Sequence, residues 1–291
     1  MTQDKVVAVI GPATTGAFKA TIPEAIKHKV PVVSGSATAD DVTADASGVK
    51  EYAFRICFSD SYQGTAMANF ALDNLSAKKA VIIMDSASDY AKGLAENFTK
   101  TFEAGGGSIV AQEAYVAGDQ DFNSIITSIK GQDFDVIFIP GYYEEAGLII
   151  KQARGQGIDV PILGADGFDS PVLLDKAGAE ALNKIYFSNH YSSLDESPVV
   201  QEFIKSFKEK YDKEPDAFNA LGYDAAMFVA DGIRRAENVK GEAVKNALEE
   251  TTNFEGVTGT ISIDENHNAV KKLVIIELVD GKQTSVIRAG N

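Results

Sequence analysis

FDVIFIPGYYEEAGLIIKQARGQGIDVPILG, residues 134–164, holds a complete strand–helix–strand pattern in one stretch. Residues 134–139 (FDVIFI) form a short β-branched and aromatic run that reads as a buried strand. Residues 144–154 carry apolar side chains at helical spacing, and residues 161–164 read as a second short strand. Two strands joined by a helical crossover pair in parallel, and parallel sheets are covered by helices on both faces. The stretch therefore predicts an α/β protein.

The same alternation extends in both directions. Toward the N-terminus, residues 6–10 (VVAVI), 32–33, 52–58, 80–84 (AVIIM) and 108–116 read as strands. Helical stretches lie between them: up to Lys29, with Phe18, Ile22 and Ile26 spaced four apart, then 62–75, 90–102 and 122–129. Pro23 is expected to kink or reset the first of these helices. The glycines at 105–107 read as a helix C-cap and turn. Beyond residue 185 the rhythm changes: helices at 199–211, with Val200, Phe203, Ile204, Phe207 and Tyr211 on one side, at 218–235 and at 242–250 precede strands at 258–263, 272–278 and 284–287. Asp280-Gly281 marks a hairpin turn between the last two.

A chain of 291 residues is too long for one ordinary core, so two domains are expected. Its 45% hydrophobic and 24% charged residues are those of a soluble globular protein, and no stretch approaches the ~18–20 apolar residues of a membrane span. The first residues, MTQDKVVAVIG, do not have the form of a signal peptide. Asp and Glu number 42 against 27 Lys and Arg, a formal charge of −15, which disfavours nucleic acid as a partner. The single cysteine, Cys57, makes no internal disulfide, and no residues show metal-ligand spacing.

In an open parallel sheet, ligands bind beyond the carboxyl ends of the strands. The loops GPATTG, SGSAT, MDSASDY, PGYYEE and LGADGFD each follow an expected strand. GPATTG runs into a helix N-terminus, where free N–H groups and the dipole favour an anion. It lacks the Lys and Ser/Thr of a phosphate-binding P-loop, since Ala17 and Phe18 follow, so a carboxylate suits it better than a triphosphate. Thr14 and Thr15 read either as donors to that anion or as plain helix caps. Asp166 reads either as a partner for an ammonium group or as the head of an Asx-turn. Tyr90, Tyr142 and Tyr143 offer apolar walls with polar tips, or simple loop packing. SGSAT is not a G-x-S-x-G elbow, and His28 on a surface helix and His267 in a polar turn are poorly placed to activate a serine. G-x-G-x-x-G does not occur, so no dinucleotide cofactor is expected.

VIGPATTG, SGSAT, RICFSDSYQG, DYAKGL, FIPGYYEEAGLIIKQAR and GADGF, followed by YDKEPDAFNALGYDAA, occur in an order that resembles the branched-chain amino acid binding proteins of bacterial ABC transporters. The likeness covers essentially the whole chain. It implies a type I periplasmic binding fold: two Rossmann-like lobes with parallel sheets, joined by three crossing segments, that trap a ligand as they close. It implies no enzymatic activity, no cofactor and no metal. The implied partners are a small, aliphatic amino acid and a membrane ABC permease, at an extracytoplasmic location, free or lipid-anchored.

By position, Thr15 resembles the hydroxyl residue that binds the ligand carboxylate. Ser36, through its carbonyl, and Thr38 resemble the residues that hold the amino and carboxyl groups, with Ala37 in the same turn. Asp166 resembles the acid that pairs with the ammonium, an Asp here and a Glu in some relatives. Tyr90 and Tyr142 resemble aromatic residues of the second lobe that cover the ligand, and Phe218 falls where the side-chain pocket is lined. Crossings are expected near residues 55–59, 186–190 and 257–260, giving a first lobe of 1–57 plus 190–257 and a second of 58–189 plus 258–291.

Family members begin with a further strand, helix, strand and helix, on the order of 60 residues. The first lobe is therefore expected to be N-terminally truncated, with residues 6–10 as an exposed edge strand open to self-association. Two other readings share the chemistry less well: a sensor or binding protein of the same fold for an amide or aromatic acid, and a doubly wound α/β enzyme.

Overall fold

The computed structural model describes residues 1 and 3–289. The chain divides into two compact units, Met1–Ser59 with Asp195–Lys272, and Asp60–Leu194 with Leu273–Asn291, so it passes from one to the other three times.

Two of the expected crossing points move. Residues 190–194 stay with the second unit, because the strand Ile185–Asn189 is built into the middle of that unit's sheet. Residues 258–272 stay with the first unit. There the strand Gly259–Ile263 pairs antiparallel with Phe254–Gly256 and Ala269–Val270. The buried Asp224 carboxylate accepts the N–H groups of Val257 and Thr258 at 2.7 and 2.8 Å, which anchors the segment before the chain leaves.

In the first unit, three short strands, Val9–Ile10, Val32–Ser34 and Ala53–Arg55, pair in parallel in that order. The expected strand at residues 6–10 shrinks to Val9–Ile10, because its partner offers register only to Val32 and Val33. The edge is thus two residues long, with Ile10 48% exposed. Helix Thr15–His28 follows, continuous through Pro23, which lacks an N–H to give to the helical ladder. Its buried stripe is Thr15, Phe18, Ile22 and Ala25, whereas Ile26, expected inward, is exposed. Phe18 and Ile22 pack with Val32, Ala37 and Tyr52 in one cluster; Val33, Phe54, Leu221, Phe228 and Val244 form another. Helix Pro198–Tyr211 buries Val200 and Phe203 only, and leaves Tyr211 exposed. Helix Ala217–Arg235 opens on a capping box between Asp216 and Asn219.

The second unit is a seven-stranded sheet in the order Lys282–Ala289, Leu273–Val279, Ile185–Asn189, Ile162–Gly164, Val136–Phe138, Lys79–Asp85, Ser108–Tyr115. The last five strands of that order are parallel and the first two run antiparallel to their neighbours. The hairpin turn lies at Asp280 and Gly281, both with positive φ (48° and 72°), as a tight Asp-Gly turn requires. Val81, Ile83, Ile137, Ile149, Ile162 and Phe187 are among the side chains of its buried core.

Candidate functional site

In the first unit, two loops leave the carboxyl ends of neighbouring parallel strands. GPATTG follows Val9–Ile10 and SGSAT begins at the end of Val32–Ser34. Ser34 fastens them together. Its hydroxyl donates to the Pro12 carbonyl at 2.9 Å and accepts from the N–H groups of Ser36 and Ala37 at 3.3 and 3.0 Å. Ser36 adds a bond from its own hydroxyl to the Ala13 carbonyl, 2.9 Å. Gly35 lets this turn press on helix Ala217–Arg235, since a Cβ there would lie 3.2 Å from the Leu221 carbonyl oxygen. Phe218, half-buried, is one helical turn before Leu221 on the same face.

The capping reading of the threonines does not hold. Thr14 stands at the N-cap of helix Thr15–His28 but makes no side-chain capping bond. Thr15, 3% exposed, accepts the N–H of Ala39 at 3.3 Å and keeps its own hydrogen to give. Ala37 and Thr38 are fully buried. The Thr38 hydroxyl has no hydrogen-bond partner among the described residues. The backbone behind it is held by Arg55, itself 2% exposed, whose Nη1 donates to the carbonyls of Thr38 and Ala39, both at 2.8 Å. A buried orphan hydroxyl, a second hydroxyl and a helix N-terminus are donors of the kind a carboxylate accepts from.

In the second unit, the expected site residues Tyr90, Tyr142 and Asp166, with His190, stand at the carboxyl ends of adjacent parallel strands. Tyr90 follows Lys79–Asp85, Tyr142 follows Val136–Phe138, Asp166 follows Ile162–Gly164 and His190 follows Ile185–Asn189. Asp166 is 3% exposed. Its Oδ1 accepts the Tyr90 hydroxyl at 2.7 Å and its Oδ2 lies 3.1 Å from His190 Nε2. The carboxylate thus goes to side chains rather than to an Asx-turn. Its own N–H donates to Gln63 Oε1 at 3.2 Å, and Gln63 is fixed in turn by Ser188, whose hydroxyl donates to the same oxygen at 2.8 Å. Gly167 donates its N–H to the Tyr90 oxygen at 3.0 Å. A Cβ at Gly167 would lie 2.5 Å from the Gly141 carbonyl, so only glycine fits this closely packed turn.

The rings of Tyr90 and Tyr142 stack, with centroids 5.0 Å apart and 22° between planes. Burial, reinforced by the Asp166 carboxylate, pushes both phenols above their ordinary range. Both stay neutral at physiological pH, and Tyr90 acts as a donor to Asp166. The result is a buried carboxylate, held from several sides, next to an aromatic wall.

Three members of these groups carried no readable signal in the sequence: Arg55, Gln63 and His190. Gln63 is 103 residues from Asp166 and sits in the first turn of helix Asp60–Asp73, where glutamine is ordinary. His267, read as a residue of a polar turn, is 4% exposed there and stacks on Phe54 at 4.1 Å. It bonds to the Ala53 carbonyl at 3.1 Å and to Glu249 at 2.9 Å, a structural role away from these loops. Among the described residues no cluster of His, Cys, Asp or Glu suits a metal ion, and no helix is long and apolar enough to cross a membrane.

The family model for periplasmic binding proteins matches residues 1–283. Leu/Ile/Val-binding protein homolog 3 of Brucella melitensis is 28% identical over 263 residues, which are 90% of this chain and 70% of that protein. The branched-chain amino acid transporter substrate binding protein LivJ of Streptococcus pneumoniae, solved with isoleucine, superposes with a TM-score of 0.92 at 43% identity, over 99% of this chain and 80% of that one. The leucine binding protein LivK of Thermotoga maritima superposes with a TM-score of 0.91 at 38% identity, over 98% of this chain and 81% of that one.

Proposed function

The chain belongs to the periplasmic binding protein family, with the type I fold, and on that footing we propose that it captures a small aliphatic amino acid of the Leu/Ile/Val type. The captured amino acid is handed to a membrane ABC permease, outside the cytoplasm. Thr15, Thr38 and the helix N-terminus are the groups for the ligand carboxylate, with the Ser36–Ala37 turn beside them. Asp166 is the group for the ammonium, with Tyr90 and Tyr142 as the aromatic cover. Phe218 lines the space for the side chain.

The observation that carries this reading is the Thr38 hydroxyl, fully buried and without a partner among the described residues. Such a group costs about 1–3 kcal/mol to leave unsatisfied, and a bond to a carboxylate relieves that cost on binding. Support comes from Asp166, whose carboxylate is held by Tyr90 and His190, so little ordering entropy is lost on capture.

A thermal-shift screen of the common amino acids, with benzoate as a carboxylate lacking the amine, tests the proposal. A ligand at 100 times its Kd stabilises by ~2.7 kcal/mol. Leucine, isoleucine or valine should raise the midpoint most. No shift with any amino acid, or a shift with benzoate alone, would overturn it.

A further inference from the structure

We propose that His190 is a positioning residue for Asp166, and that its protonation state sets how strongly Asp166 attracts an ammonium ion. The inference rests on the amino-acid reading above and deepens it: capture becomes coupled to a proton.

The register of the sheet brings the two residues together. Ile162–Gly164 and Ile185–Asn189 are parallel neighbours, with Gly164 opposite Phe187. Asp166 is two residues past the end of one pairing, and His190 three past the other, so both emerge at the same edge. The His190 side chain is fully buried, with Nε2 3.1 Å from Asp166 Oδ2. Its backbone is pinned: the N–H donates to Asn189 Oδ1 at 2.9 Å, and Asn189 Nδ2 donates to Asp169 Oδ2 at 2.9 Å. Tyr90 holds the other carboxylate oxygen, and Gln63 holds the Asp166 N–H. The carboxylate has no slack to swing away from the imidazole.

A neutral imidazole with its proton on Nε2 donates one hydrogen bond and leaves the full negative charge on Asp166. An imidazolium at the same place forms an ion pair with it and presents a positive charge to the incoming ammonium. The ligand then competes with His190 for one carboxylate. By linkage, binding expels a proton, and affinity rises as pH rises.

The other titratable groups around this carboxylate include Tyr90 and Tyr142; Asp60, which acts on both phenols; Asp85 and Tyr143, which act on Tyr142; and Asp169, reached through Asn189. Both phenols are held neutral by burial. Among these side-chain types, imidazole alone ordinarily titrates between about pH 5 and 8.

Titration calorimetry with leucine, from about pH 8 down to about pH 5.5 and in two buffers of different ionisation heat, is the test. Wild-type affinity should fall about tenfold or more across that range, and the buffer dependence should report proton release on binding. His190→Gln keeps an amide donor that does not titrate; it should bind more weakly at pH 8, with a flattened pH profile and no proton release. His190→Ala should be weaker still at every pH. Absence of leucine binding by wild type at pH 8 would overturn the amino-acid reading, and this inference with it. Tight binding with no proton release by wild type would overturn this inference alone, as would His190→Gln keeping the wild-type slope.

Discussion

Arg55 donates from Nη1 to the carbonyl oxygen of Thr38 at 2.8 Å, deep in the first unit. The guanidinium also reaches the Ala39 carbonyl, and its Nε donates to Asn268 Oδ1 at 2.7 Å. Cutting it away leaves the Thr38 carbonyl without a donor among the described residues and the Ala39 carbonyl with only the Val42 N–H, 3.3 Å away. Arg55→Met should therefore destabilise the protein by about 2–5 kcal/mol. Arg55→Lys should recover only part of this, because an ammonium cannot reproduce the planar fork. Urea unfolding measures both. A loss below about 1 kcal/mol for Arg55→Met would mean that these bonds hold nothing.

Thr38→Val replaces an unpartnered buried hydroxyl by a methyl of the same shape. The ligand-free protein should be as stable as wild type, or more stable by up to about 1 kcal/mol. Leucine affinity should fall by about tenfold or more, the loss of one charge-assisted bond. Stability and affinity moving in opposite directions separates a ligand donor from a structural one.

Tyr90→Phe removes the donor to Asp166 and the acceptor of the Gly167 N–H together. About 1–3 kcal/mol of stability should be lost from the stranded N–H and the one stranded carboxylate oxygen. Thermal unfolding reads the stability, and calorimetry should show weaker leucine binding.

The strand–helix–strand reading of residues 134–164 needed only local pattern, and the structure has Val136–Phe138, Tyr143–Gly155 and Ile162–Gly164 there. Loops at strand ends are legible for the same reason, which is how Thr15 and Asp166 were singled out; Thr38 came from the resemblance. Partners set by register are not legible. Nothing in the run SNHYSS says that His190 meets a carboxylate 24 residues upstream. The length of the strand at Val9–Ile10 was also hidden, because the partner strand and not the apolar run decides where pairing stops. Ile26 continued a regular spacing yet faces outward, since Ala25 takes the inward position.

Lys271 gives a pH effect on stability. Its ammonium donates to the Thr258 hydroxyl, which donates to Asp224 Oδ2 at 2.7 Å. Desolvation pushes it down to about 8, with Asp224 opposing, from an ordinary value of 10.5. The unfolded chain keeps this proton up to its higher ordinary value, while the native state releases it near pH 8. Stability from this group therefore rises between those two pH values. Lys271→Met should flatten that rise and be neutral or stabilising at pH 7. Urea midpoints at about pH 7 and about pH 9.5 check the sign, and an unchanged pH slope in the variant would refute it.

Recognition of both ends of a free amino acid is the central claim, and calorimetry with leucine and two of its fragments tests it. Leucine should bind tightly, while 4-methylpentanoate, which lacks the ammonium, and isoamylamine, which lacks the carboxylate, should bind at least about a hundredfold more weakly. Asp166→Asn should lose about 2–5 kcal/mol toward leucine and little toward 4-methylpentanoate. Equal binding of leucine and 4-methylpentanoate by wild type, or leucine binding by Asp166→Asn as tight as wild type, would contradict the account.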